Sequence, residues 1–247
     1  MDFWVINCGN TFTEFAFVEA GVLGDISKVP TVAFLQGISI VPPIPDAPIA
    51  IATVVPEIKK VLENYPHEVF YLDSINTAGI IDYSLMNNHT TIGMDRIANV
   101  AQLVNLNATP GLVVDCGTAI TFEGLDGEKH FKGGAIIPGR KLMRESLNRG
   151  TKQLPEIGLS DNLRLTLGLD TATSIEFGID NTLIGGVARI IEIIKEERNL
   201  KNCPVYAVGG DRKIFVDNIP NLFDGGDNFT LEGIKFAYEF IKGLKNG

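Results

Sequence analysis

Asp95 lies in Gly93-Met94-Asp95-Arg96-Ile97-Ala98-Asn99, a carboxylate followed at once by a guanidinium where an apolar helical pattern begins. A carboxylate at a helix mouth can accept a proton from a substrate hydroxyl, and the adjacent arginine offers a fork for an anion. The same Asp also reads as a plain helix cap. Two further segments carry glycine turns after apolar runs, Asn7-Cys8-Gly9-Asn10-Thr11 and Asp115-Cys116-Gly117-Thr118-Ala119-Ile120-Thr121. Glycine lets backbone N–H groups approach phosphate oxygens, hydroxyls add donors, and a carboxylate at a strand end can hold a cation. Each turn alone also reads as an ordinary hairpin. As a matched pair, with 115 − 7 = 108 residues between equivalent positions, they favour phosphate binding by a duplicated unit.

Other segments are less specific. Gly133-Gly134-Ala135-Ile136-Ile137-Pro138-Gly139 fits close backbone packing or a ligand wall, and Gly209-Gly210 either receives a flat base or turns the chain. Arg140, Lys141, Arg144, Arg149 and Lys152, opposed by Glu145, read as a solvated helix face sooner than as an anion lure. His67, His89 and His130 show no metal spacing. No GxxxxGK[ST], GxGxxG or GxSxG stands at a strand-to-helix junction, which argues against P-loop, Rossmann and α/β-hydrolase chemistry.

The elements that would position these residues alternate between strand and helix. Phe3–Ile6 and Phe12–Val18 predict a hairpin, Ala50–Val55 a buried strand, and Pro56-Glu57 the start of a helix with Ile58, Val61 and Leu62 on one face. Val69–Leu72 reads as a strand. Asp95–Leu106 predicts a helix through Ile97, Val100, Ala101 and Val104, and strands follow at Leu112–Val114 and Ile120–Phe122. Asn181–Arg198 is an amphipathic helix, Val205–Val208 a strand, and Leu231–Leu244 a last helix. The expected division is one α/β half over 1–108 and a second over 109–247.

Composition narrows the class. The 247 residues are 45% hydrophobic, enough for a sizeable core. Twenty-one basic against 30 acidic side chains give −9, which disfavours a broad nucleic-acid surface. Cys8, Cys116 and Cys203 lack CxxC spacing and read as reduced thiols. The start of the chain has no positive n-region, and apolar runs of about seven residues fall far short of the roughly 20 that span a bilayer, so a cytoplasmic protein away from membranes is expected.

Taken in order, Asn7-Cys8-Gly9-Asn10-Thr11, Gly93-Met94-Asp95-Arg96, Asp115-Cys116-Gly117-Thr118, Gly133–Gly139, Leu154-Pro155, Gly168-Leu169-Asp170-Thr171 and Gly209-Gly210 resemble the type III pantothenate kinases. The likeness runs from near residue 3 to Thr230-Leu231-Glu232-Gly233. It implies the acetate-kinase, sugar-kinase, Hsp70 and actin type of α/β fold, two ribonuclease-H-like halves closing over ATP, usually as a homodimer. The activity implied is ATP-dependent phosphorylation of pantothenate to 4′-phosphopantothenate, the first step of coenzyme A synthesis.

By position, the resemblance makes Asp95 the general base, with Gly93, Met94, Arg96 and Thr171 around pantothenate. It puts Asn7, Cys8, Gly9, Asn10, Thr11, Phe12, Thr13 and Glu14 around the ATP phosphates, Thr118 on ATP, and Asp115 on a monovalent cation, potassium or ammonium, with Mg²⁺ accompanying ATP. Two residues depart from the family pattern. Asn7 stands where Asp is usual, removing a carboxylate that would help hold Mg²⁺, and Met86 stands where an aromatic residue is common, with Tyr83 nearby. Asn7 suggests a weak or regulatory family member as the alternative; Met86 suggests a kinase for another small hydroxy acid.

Overall fold

The computed structural model describes residues 1–36, 47–160 and 163–243. The first sheet is built from β1 (Phe3–Cys8), β2 (Phe12–Glu19), β3 (Val22–Leu23), β4 (Ser27–Pro30), β5 (Ile49–Thr53) and β6 (Val69–Tyr71). Its order is β3-β2-β1-β5-β6, with β4 also on β2. The β1–β2 pair is the antiparallel hairpin expected from the sequence, and β5 joins β1 in parallel. Helices α1 (Thr31–Leu35), α2 (Ile58–Val61) and α3 (Met94–Asn105) interrupt or follow these strands. The second sheet holds β7 (Gly111–Cys116), β8 (Ala119–Leu125), β9 (Phe131–Pro138), β10 (Val205–Val208) and β11 (Leu222–Asp224), ordered β11-β10-β7-β8-β9. The remaining helices are α4 (Arg140–Gly150), α5 (Thr171–Glu197), α6 (Arg212–Val216) and α7 (Phe229–Ile241).

With β4, which pairs only with β2, set aside, each sheet counted from its own first strand runs third, second, first, fourth, fifth. The duplication extends to burial: β1 and β7 are six-residue strands that bury every residue but the fifth, Asn7 in one and Asp115 in the other. An apolar strand flanked on both sides must be buried throughout, so a polar residue survives only near its end, beside the turn.

The two compact units are not the contiguous stretches 1–108 and 109–247. The first comprises Met1–Thr109, Leu125–Lys132 and Gly226–Gly247, and the second Pro110–Gly124 and Gly133–Gly225. The last helix belongs to the first unit because α7 packs on α3 and on β1, burying Phe229, Leu231, Ile234 and Tyr238. The Tyr238 ring packs tilted against Phe3 of β1, with ring centroids 4.6 Å apart. In the first unit a core of Trp4, Ile6, Phe15, Ile49, Ile51 and Ile58 lies on one side of the sheet. The second unit's core joins Val114, Phe122, Ile179, Leu183, Val187 and Phe215.

Candidate active site

Asp95 is in the first turn of α3, and Gly93 occupies the cap position with φ −59° and ψ 140° and no side-chain cap. The capping role open to Asp95 in the sequence is therefore not the one it takes. Its Oδ1 accepts a hydrogen bond from the backbone N–H of Arg96 at 2.8 Å. Burial raises its pKa above the ordinary carboxylate range, against the lowering effect of that N–H and of the Arg96 charge. A carboxylate tuned upward is a better proton acceptor. The Arg96 guanidinium lies 5.9 Å from the centroid of Phe131. The Sδ of Met94 accepts from the backbone N–H of Thr53 at 3.4 Å, tying the start of α3 to the end of β5.

Two pockets are lined mainly by residues that precede this motif in sequence. One of about 640 Å³ is bordered by Ser74, Ile81, Tyr83, Met86 and His89. The other, of about 470 Å³, reaches Met94 and is bordered by Lys59, His67, Tyr71 and Asp73. Tyr83 stacks on His89 at 5.8 Å and shares a 2.8 Å hydrogen bond with Thr77, so an aromatic ring does stand in the pocket that Met86 lines. Burial pushes the Tyr83 phenol well up, keeping it neutral.

The first glycine turn is tightly wired. The Gly9 N–H donates to Phe12 O at 3.0 Å, and Thr31 donates its hydroxyl to Gly9 O at 2.6 Å and its N–H to Thr11 O at 3.0 Å. Cys8 and Thr13 are buried, and the Thr13 hydroxyl bonds Cys8 Sγ at 3.3 Å and Thr31 Oγ1 at 3.1 Å. The side chains of Cys8 and Thr13 thus serve the interior. Asn10, Thr11 and Phe12 are exposed at the tip, and half-buried Asn7 lies opposite Glu14.

The second turn is one residue shorter than the first: the Gly117 N–H donates to Ala119 O at 3.1 Å across Thr118, which is exposed. The Gly139 N–H donates to Thr118 O at 2.9 Å, so the end of the Gly133–Gly139 segment buttresses this turn. Gly209 has φ +86°, and a Cβ there would stand 2.6 Å from Asp115 Oδ1 and 2.7 Å from Cys116 O. Only glycine lets the chain after β10 pass so close to Asp115. Thr171, the first residue of α5, is exposed beside Asp170, which caps the helix through Thr173 N at 2.8 Å.

The basic segment is a different structure from the solvated face expected. Arg140 and Arg144 are each 2% exposed, and both grip Asp180 of α5, itself 1% exposed. Arg140 Nε is 3.1 Å from Asp180 Oδ1 and Arg144 Nη2 is 3.1 Å from the same oxygen. Arg140 also donates to Ser160 O at 3.1 Å and lies 3.7 Å from Asp211. Burial raises the Asp211 pKa, opposed by Arg140. Lys141 and Arg149 remain at the surface with Glu145. The local sequence gives no sign of Asp180, some 36 to 40 residues away.

The model of the type III pantothenate kinase family matches residues 3–193. A type III pantothenate kinase of Thermosipho africanus is 33% identical over 201 residues, 78% of each chain. The chain belongs to the type III pantothenate kinase family. Among solved structures, the Baf family protein of Campylobacter jejuni aligns with 98% of this chain and 100% of its own at a TM-score of 0.67 and 18% identity. The ROK hexokinase of Thermus thermophilus covers 98% and 100% at 0.52 and 12%. At such identities these structures speak for the fold alone, which is that of the actin, Hsp70 and sugar-kinase group expected from the motifs. Family membership makes the chain a phosphotransferase that uses ATP with a divalent metal. Among the described residues no helix is long and apolar enough to cross a membrane.

Proposed function

We propose that this chain phosphorylates pantothenate with ATP to give 4′-phosphopantothenate, the opening step of coenzyme A synthesis, with Asp95 as general base. The observation that carries the role of Asp95 is a half-buried carboxylate in the first turn of α3, on the Gly-x-Asp-Arg motif, that accepts the Arg96 N–H and has its pKa raised by desolvation. Asp95 takes the proton from the pantothenate hydroxyl as that oxygen forms its bond to the γ-phosphorus and the bridging bond to ADP breaks. Arg96 supplies positive charge for an anionic group, and Gly93, Met94 and Thr171 complete the pantothenate contacts. Asn10, Thr11, the backbone of Asn7–Glu14, and Thr118 hold ATP.

Among the described residues no group of three or more His, Cys, Asp or Glu could hold a metal ion. That fits Mg²⁺, which takes one or two carboxylates and completes its shell with water and nucleotide oxygens. When bound with ATP it neutralises developing phosphate charge. Asp115, near the end of β7 and beside the Gly117-Thr118 turn, offers its carboxylate to potassium or ammonium. A homodimer is supported by the leucines that precede α5, Leu165, Leu167 and Leu169, exposed at 60%, 73% and 96%. The three free, buried thiols fit the reducing cytoplasm.

The test is to incubate the purified protein with ATP, Mg²⁺ and pantothenate in potassium and, separately, in a large organic cation. A 4′-phosphorylated product in potassium alone supports both assignments. Equal rates in the two buffers remove the cation from Asp115, and absence of product in both removes the activity.

A further inference from the structure

The first glycine turn has no cationic side chain of its own, since residues 1–27 contain neither Lys nor Arg. A polyphosphate bound there needs positive charge, and Lys28 is the first side chain to offer it. The strand register sets Asn7 of β1 opposite Glu14 of β2, and Glu14 opposite Lys28 of β4. Directly paired residues share a sheet face, so the three form one row across it. Phe12, two residues before Glu14, lies on the same face one step nearer the turn.

The Lys28 ammonium is 2.7 Å from Glu14 Oε1 and 4.9 Å from the Phe12 ring centroid. It therefore leans out of its own row toward the tip at Asn10 and Thr11. The Lys28 side chain is 46% exposed and Phe12 likewise 46%, so this charge faces solvent beside the turn. The hydroxyls of Thr13 and Thr31 are committed to internal bonds, so neither adds to the donors of the tip.

We propose that Lys28 is a phosphate-neutralising residue of the first turn, aimed by Glu14 and Phe12, an inference that rests on the reading of the chain as an ATP-dependent kinase. As an exposed ion pair alone, Lys28–Glu14 would stabilise the fold very little. A contact between its ammonium and the β- or γ-phosphate is charge-assisted and is absent with a nucleoside monophosphate.

The experiment compares Mg·ATP and AMP binding by calorimetry for the wild type, Lys28→Met and Lys28→Arg. We expect Lys28→Met to weaken ATP about tenfold while AMP changes less than about twofold, with Lys28→Arg close to wild type. In turnover, the KM for ATP rises and that for pantothenate does not. An unchanged ratio of ATP to AMP affinity in Lys28→Met overturns the inference and leaves the kinase reading standing. A wild type that binds neither nucleotide overturns both.

Discussion

A Cβ on Gly93 would stand 2.6 Å from Asp95 Oδ1. Nothing else tight surrounds it, because the next atoms are the Asp95 carboxyl carbon at 3.7 Å and Arg96 Cδ at 3.8 Å. The backbone at Gly93 has an ordinary negative φ, so an alanine is conformationally acceptable there. The glycine thus leaves room for the carboxylate of Asp95 rather than for a turn.

Gly93→Ala should therefore fold with a thermal midpoint close to wild type and lose activity, because the Asp95 carboxylate has to rotate away. A drop of roughly tenfold or more in kcat is expected, in line with the sensitivity of general-base catalysis to position. Steady-state kinetics beside a melting curve check this. Loss of fold instead of rate would show that the tight contact lies elsewhere.

The raised pKa of Asp95 has a consequence for stability. A carboxyl whose folded pKa exceeds its unfolded value binds its proton more tightly in the native state, so its ionisation costs stability as pH rises through that window. Asp95→Asn removes this cost while its amide oxygen can still accept from the Arg96 N–H. The variant should melt above wild type at neutral pH, and the two curves should converge as pH falls below the ordinary Asp range. A constant offset at all pH values contradicts the raised pKa.

How much of this was legible in the sequence depends on whether the signal was local. The β1 and β7 turns could be read because an apolar run, one polar residue and a glycine fall within seven positions. α3 was legible from its apolar spacing. The amphipathic pattern of α5 starts at Asn181, whereas the helix begins at Thr171, since residues 171–180, with two Thr, one Ser and one Gly, have weaker helix propensity and the cap lies in Asp170 and Thr173. Nothing near Arg140 and Arg144 announces Asp180, so by sequence alone two buried arginines are indistinguishable from surface charge. Nor does the amphipathic pattern of α7 say which sheet it covers, and it returns to the first. At the site, the motif gave Asp95, whereas the inward turn of Thr13 and the lean of Lys28 depend on register across three strands.

The Arg140–Asp180–Arg144 cluster leads to a second stability prediction. Replacing Asp180 with Ala leaves two buried guanidinium groups without their shared counter-charge. Breaking a buried pair in this way costs about 3–5 kcal/mol. Urea unfolding should show the loss as a lowered midpoint. A shift under about 1 kcal/mol would mean that Asp211 and backbone carbonyls suffice for both arginines.

The most direct test of the central claim measures single-turnover formation of 4′-phosphopantothenate by wild type and Asp95→Asn, with ATP, Mg²⁺ and potassium saturating, across pH. The account predicts a wild-type rate that climbs with pH through a pKa above the usual carboxylate range, and a folded variant slower by roughly 10²-fold or more that lacks this limb. A folded Asp95→Asn that transfers phosphate at near the wild-type rate, with the same pH profile, would contradict it.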